Sequence, residues 1–318
     1  MLITVLLFVA GLICLIKGGD WFVDGSVNIA RRFSVPEILI GATVVSIGTT
    51  LPEVMVSATS ALGGQGDIAY GNAIGSIICN TSLIAAITLS VRPGKAERKN
   101  LIVPVIFFFV SAILYAGIAY TTGFFSRGIG FLLLAIFAVY IITSVSKIKG
   151  IPSSAQSDTA DGKATKDIVM LVVGAAVIAI GARLVVDNGI VIAELLGVPK
   201  SVIALTFVAL GTSLPELVTA ITSLVKGHGA LSLGNIIGAN LFNLVLVSGV
   251  SVALSPFSVP QSSTLFGYNS SLVLDIPVMF AVMLLLVIPP LVKEKLTRLQ
   301  GIALLAIYAA FCVIQFTM

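Results

Sequence analysis

Apolar residues run through this chain in long blocks separated by short polar breaks. A helix that crosses a bilayer needs about 20 mostly apolar residues. Ten blocks reach that length, at residues 2–30, 36–62, 68–90, 100–120, 127–147, 167–194, 199–225, 230–254, 270–292 and 298–317. The pattern predicts ten transmembrane helices, because in lipid a helix satisfies its own backbone groups. The first and sixth blocks exceed a perpendicular crossing, which predicts tilt. Residues 1–17 have no basic start and no small-residue cleavage site, so they are predicted as the first span and not as a signal peptide.

Composition agrees. Of 318 residues, 58% are hydrophobic and 10% charged, against about 25% charged in soluble domains. The net charge of +4 follows from topology and not from a nucleic-acid partner. With the N-terminus outside, the inner ends and loops hold Arg31, Arg32, Arg92, Lys95, Arg98, Lys99, Lys147, Lys149, Lys163, Lys166, Lys226, Lys293, Lys295 and Arg298, or 14 of the 18 basic residues. Cytoplasmic loops carry the Lys and Arg, so ten spans with both termini outside are expected. A polar linker, 149–166, separates an N-terminal five-helix half, 1–148, from a C-terminal half, 167–318.

The halves are repeats. Residues 18–80 slid onto 181–243 without a gap give 24 identities in 63 positions. Each half has an odd number of spans, so the second enters the membrane upside down. Inverted repeats of this kind are a secondary-transporter architecture, with ions held near the midplane.

The best-matched segments are Gly48-Thr49-Thr50-Leu51-Pro52-Glu53 and Gly211-Thr212-Ser213-Leu214-Pro215-Glu216. Both fall at the centres of apolar spans, the second and seventh. Carboxylates there are costly and mark function by default. Pro52 and Pro215 remove the donors that would reach the carbonyls of Gly48 and Gly211, which predicts broken helices and freed carbonyls at residues such as Thr49 and Thr212. Asn80 and Asn243 reach the same depth from the third and eighth spans. With the hydroxyls of Thr50, Ser213 and Ser76 the set is all oxygen. Two carboxylates with neutral oxygens suit a hard divalent cation such as Ca²⁺, and the lack of thiolate or imidazole argues against zinc or copper.

Other residues have plainer readings. Cys14, Cys79 and Cys312 fall in apolar runs and read as small hydrophobes. His228 lies in a Gly-rich turn with no chemistry of its own. Gly71, Gly75, Gly234 and Gly238 are predicted to let helices approach closely, and Gly18, Gly19 and Gly181 to be flex points. Asn72 and Asn235 are predicted to satisfy freed backbone, and Asp24 and Asp187 to tie helix ends. Asp20 and Arg183 match under the repeat, but the inversion puts them at opposite faces. The loop 255–271 shows no chemistry.

On these features the chain resembles the cation/Ca²⁺ exchanger superfamily, in its prokaryotic Na⁺/Ca²⁺ exchanger-like branch. The specific part is the pair of repeats Gly41–Asn80 and Ala204–Asn243. The resemblance implies an all-α polytopic membrane protein with broken helices 2, 3, 7 and 8 around the ions. It implies Glu53 and Glu216 as shared Ca²⁺ and Na⁺ carboxylates, with the carbonyls of Thr49 and Thr212 completing a Ca²⁺ site. Thr50, Ser76 and Ser213, with the carbonyls of Ser46 and Ala209, would serve flanking Na⁺ sites, and Asn80 and Asn243 would line the middle. It also implies a prokaryotic plasma membrane, no cofactor, and Ca²⁺, Na⁺ and competing H⁺ as transported ions. Beyond bilayer and ions, no protein partner is implied. Two departures stand out. Some relatives have Asp at the position of Asn243, and Ala239 stands where the first repeat has Ser76. Ca²⁺/H⁺ exchange is the rival reading. A passive channel would need no counter-ion. An intramembrane hydrolase would use the two carboxylates as a dyad, but no nucleophile or metal-ligand motif accompanies them.

Overall fold

The computed structural model describes residues 2–149, 164–196, 211–261 and 263–317. The chain is an all-α polytopic membrane protein. Among the described residues nine helices are long and apolar enough to cross a bilayer. They are α1 (Leu2–Arg32), α2 (Glu37–Leu62), α3 (Gly66–Val91), α4 (Arg98–Thr121), α5 (Arg127–Lys149), α6 (Ala164–Leu195), α8 (Gly229–Leu254), α9 (Ser271–Lys293) and α10 (Arg298–Thr317). Between α6 and α8 lies a shorter apolar helix, α7 (Leu214–Val225). The first part of the seventh predicted span, with Ala209, falls outside the described residues, as does most of the 149–166 linker.

The interruptions differ from those that proline chemistry predicts. Pro52 does not cut α2, which continues as α-helix from Ser46 to Leu62. Instead α2, α3 and α8 each carry a π-turn, at Gly41–Val45, Asn80–Ala85 and Asn243–Val247. A π-turn shifts the hydrogen-bond ladder by one residue, and side chains take up loosened carbonyls. Ser46 donates to Gly41 O at 2.7 Å, Tyr140 to Ala42 O at 2.7 Å, and Ser248 to Asn243 O at 3.0 Å. In the other repeat the proline does mark a helix start. Pro215 sits in the first turn of α7, after a turn at Thr212 and Ser213, where its missing N–H costs nothing.

Loop pairings show which helix ends share a face. Lys95, after α3, forms an antiparallel bridge with Lys295, after α9. On the other side Phe124–Phe125, after α4, pairs with Phe257–Ser258, after α8. His228 Nδ1, before α8, lies 2.8 Å from Glu37 Oε1, at the start of α2. Among the described residues these pairings agree with the predicted alternation and bring the ends of α3, α7 and α9 and the starts of α2 and α8 to one face. They also give the loop 255–271 and His228 structural work that their sequence did not reveal.

The long helices α1 and α6 pack antiparallel along a seam of glycines. A Cβ on Gly174 would meet Phe22 N at 2.6 Å, one on Gly18 would meet Ile178 N at 2.9 Å, and one on Gly181 would meet Gly11 O at 2.9 Å. Gly18 and Gly181 are therefore contact points of a tight pair. At its basic end Asp167 of α6 accepts from Arg32 at 3.0 Å and Asn28 at 3.1 Å. Close approach also explains Gly234, whose Cβ would collide with Ile38 O, and Gly238, where one would meet Ala42 Cα at 2.7 Å. It does not explain Gly71 and Gly75, which have open space beside them and line a cavity with Asp67, Tyr70 and Asp275.

Candidate cation site

α2 carries Glu53 and α7 carries Glu216. Both are 0% exposed, and the two carboxylates are electrostatic neighbours. Among the described residues none of their four oxygens has a hydrogen-bond partner. Buried polar atoms are almost always paired, so four bare carboxylate oxygens in one place are an arrangement that packing alone does not produce. Thr49 and Thr50 stand beside the Glu216 carboxylate. The hydroxyls of Thr50 and Ser213, both amide atoms of Asn80 and the Oδ1 of Asn243 are likewise buried and without partners.

The π-turns help to place these groups. Asn80 and Asn243 are the first residues of the π-turns in α3 and α8. Asn243 Nδ2 donates to Ala239 O at 3.0 Å, which leaves Oδ1 as its free atom. That oxygen is neutral, so Asn243 adds no charge of its own. Ser76 is buried, and Ala239 at the matching position is a buried methyl, so at this position the second half lacks the hydroxyl of the first.

Not every predicted site residue presents its side chain. Ser46 spends its hydroxyl on Gly41 O and on Asn235 O, at 2.7 and 3.0 Å. Thr49 donates to Asn235 Oδ1 at 3.1 Å, and half-buried Thr212 donates to Asn72 Oδ1 at 3.2 Å. With these hydroxyls engaged, only the backbone carbonyls of Ser46, Thr49 and Thr212 could face a cation, and those of Ser46 and Thr49 lie in unbroken helix, Ser46 O already 3.5 Å from the Thr49 hydroxyl. Asn72 also donates to Glu53 O at 3.2 Å and to Ser57 Oγ at 2.8 Å, as expected of a residue that satisfies loosened backbone. Asn235 Nδ2 has no such partner, because Ala220 stands where the first repeat has Ser57.

Two residues escaped the sequence reading. Thr219 and Ser223 are fully buried with unpartnered hydroxyls. They follow Glu216 by three and seven residues, so they continue its face of α7. That spacing was the signal available.

α7 ends in an ionic cluster. Lys226 Nζ lies 2.7 Å from Asp24 and 3.2 Å from Asp20, both on α1. Burial opposes the Lys226 charge, but the bonds to Asp24 and Asp20 outweigh it and raise its pKa above the ordinary lysine value. At the other end Asp187 pairs within α6 with Arg183 at 3.5 Å. Position 63, which matches Lys226 in the first repeat, is glycine.

Among the described residues no three His, Cys, Asp or Glu side chains gather in one place. The site's charge comes from one glutamate of each half, and its other donors are neutral oxygens. Fold and site together define a secondary transporter built from inverted repeats. The chain belongs to the sodium/calcium exchanger protein family, whose model matches residues 3–146 and 166–317. It is 34% identical to the sodium/calcium exchanger MaX1 of Methanosarcina acetivorans over 99% of both chains. It is 32% identical to the Escherichia coli inner membrane protein YrbG over 89% of each. Among solved structures it superposes on the sodium-calcium exchanger NCX_Mj, soaked with Na⁺ and Ca²⁺, with a TM-score of 0.80, 32% identity and 98% coverage of both chains. These are transporters and membrane proteins, and the family is not one of enzymes.

Proposed function

We propose that this protein exchanges Ca²⁺ for Na⁺ across a prokaryotic plasma membrane by alternating access, with Glu53 and Glu216 as shared ligands. The observation that carries the reading is the meeting of two fully buried, unpartnered glutamates from matching repeat positions within a shell of unpaired oxygens. One Ca²⁺ neutralises both carboxylates, and the carbonyls of Thr49 and Thr212 with Asn80 and Asn243 fill out a hard-cation shell. Na⁺ takes the same carboxylates, flanked by Thr50, Ser76, Ser213 and the carbonyls of Ser46 and Ala209. The two ions therefore exclude each other, which is the requirement for exchange.

The halves 1–148 and 167–318 act as the two inverted units, joined by the cytoplasmic linker 149–166, with both termini outside. The α1–α6 pair moves as one body along the core, because its glycine seam and the Arg32–Asp167 tie hold it together. The Lys226 cluster joins α1 to α7 on the basic face and opens when that face opens.

Proton coupling is the rival. It is favoured by the missing hydroxyl at Ala239 and the uncharged Asn243, which weaken a Na⁺ shell. The test is uptake of radiolabelled Ca²⁺ into proteoliposomes under an imposed Na⁺ gradient and, separately, a pH gradient. Uptake driven by Na⁺ at matched pH supports the proposal. Uptake driven by pH alone transfers it to Ca²⁺/H⁺ exchange, and uptake that needs neither gradient points to a channel.

A further inference from the structure

On the basic face, between the ends of α3 and α7 and the start of α8, lies a cavity of about 240 Å³. It takes no part in the cation site. Its lining includes Arg92, Gly94, Lys95, Gly229, Ala230 and Ser232, and we propose that it binds a phosphate group.

Four features of the cavity suit an anion. Arg92 uses one N–H on Leu224 O at 3.1 Å and keeps the rest of its guanidinium. Lys95 stands directly opposite Lys295 in the antiparallel bridge, and like charges so placed repel unless an anion comes between or beside them. Three acids of the adjoining loops and helix ends are engaged elsewhere, Glu294 with the Arg98 backbone N–H at 3.0 Å, Glu97 with Lys99 at 3.2 Å and Glu37 with His228 at 2.8 Å. The floor is the first turn of α8, whose amides have no acceptor within the helix and which favours anions. His228, its N-cap, makes no capping bond and gives its imidazole to Glu37.

The independent sign of a ligand is Ser232. It is 3% exposed, lines the cavity, and its hydroxyl has no partner among the described residues. A turn of the Ser232 side chain about χ1 would offer that hydrogen to a phosphate oxygen, while Arg92 and Lys95 supply charge-assisted bonds.

The cavity is not a by-product of the repeat. The matching positions on the opposite face hold Asp67 for Ala230, Ala69 for Ser232, and Ser255 and Ser258 for Arg92 and Lys95. Phe257, which matches Gly94, presses there against Gly66. On the basic face Gly94 and Gly229 have open space beside them. The opposite face has a cavity of similar volume with the unpartnered Tyr70 hydroxyl, but Asp67 and Asp275 line it; of these two cavities, the one on the basic face is lined by cations. A headgroup of the facing lipid leaflet and free phosphate offer the same chemistry.

The test uses the full chain purified in detergent. One arm is titrated with dioleoylphosphatidylglycerol and the other with inorganic phosphate, with binding read by native mass spectrometry and by melting temperature. The wild type should hold one ligand per chain. Lys95→Gln, and Ser232→Leu, which fills the cavity, should each weaken binding about tenfold, the size of one lost charge-assisted bond. Ser232→Ala, at unchanged melting temperature without ligand, should weaken it less. Arg31→Gln, on the same face but outside the cavity, should leave it unchanged. Binding in the lipid arm alone identifies a headgroup, and binding in the phosphate arm identifies the free anion. The proposal is overturned if neither arm gives a one-to-one complex, or if Arg31→Gln and Lys95→Gln act alike.

Discussion

Thr49 donates its hydroxyl to Asn235 Oδ1 across the interface between the two halves, at 3.1 Å. Thr212 and Asn72 repeat the bond from the other side at 3.2 Å. Both pairs are related by the same shift of 163 residues. Each threonine stands two residues before the Leu-Pro-Glu that the two motifs share, so the bond fixes the backbone just ahead of the glutamate. The clamps are not equal. Asn72 is anchored by Glu53 O and Ser57, whereas Asn235 Nδ2 is unanchored. Asn72→Ala should therefore destabilise more than Asn235→Ala. With about 1 kcal/mol per buried hydrogen bond, the gap should be about 1–2 kcal/mol in thermal unfolding in detergent. Equal losses would show that the anchoring bonds carry no weight.

The glycine seam makes a second prediction. Gly174→Val forces α1 and α6 apart, since a Cβ alone would reach Phe22 N at 2.6 Å. Overpacking of this kind costs about 1–3 kcal/mol or more. Gly71→Ala has open space and should be neutral or stabilising by about 0.5–1 kcal/mol, the ordinary helix preference for alanine. Melting temperatures decide both. A tolerated Gly174→Val would remove the seam from the account.

Lys226 gives a pH prediction. Its pKa is raised by Asp24 and Asp20. A base with a raised folded pKa contributes stability that is complete below its unfolded value, about 10.4, and is lost as pH climbs through the folded one. Between about pH 6 and pH 9 the group stays charged. The difference in melting temperature between wild type and Lys226→Met should then be flat over that range and shrink only above it. A difference that changes near neutrality would mean that another group controls the cluster.

Much of this was legible in the sequence. Ten apolar blocks and the 163-residue repeat foretold the helices and which of their ends share a face, because lipid leaves the backbone few choices. The glutamates were visible because a charge at mid-span needs a reason. The helix breaks were less legible. Proline was the only signal, yet α2 runs through Pro52 and bends its ladder at Gly41–Val45 instead, where Tyr140, nearly a hundred residues away, meets Ala42 O. The roles of Gly71 and Gly75 were misjudged for a related reason. A small residue permits close approach, but only the neighbouring helix decides whether any occurs. Thr219 and Ser223 looked like ordinary hydroxyls until their burial was known.

The central claim is that Glu53 and Glu216 are one shared site, and the most direct measurement is Ca²⁺ exchange by Glu53→Gln and Glu216→Gln in proteoliposomes, beside their melting temperatures. Each change keeps the shape and removes one charge. The account predicts that both variants fold with unchanged or higher melting temperatures, because two facing carboxylates no longer repel, and that both lose Ca²⁺ exchange. Near-normal exchange by either folded variant would contradict it.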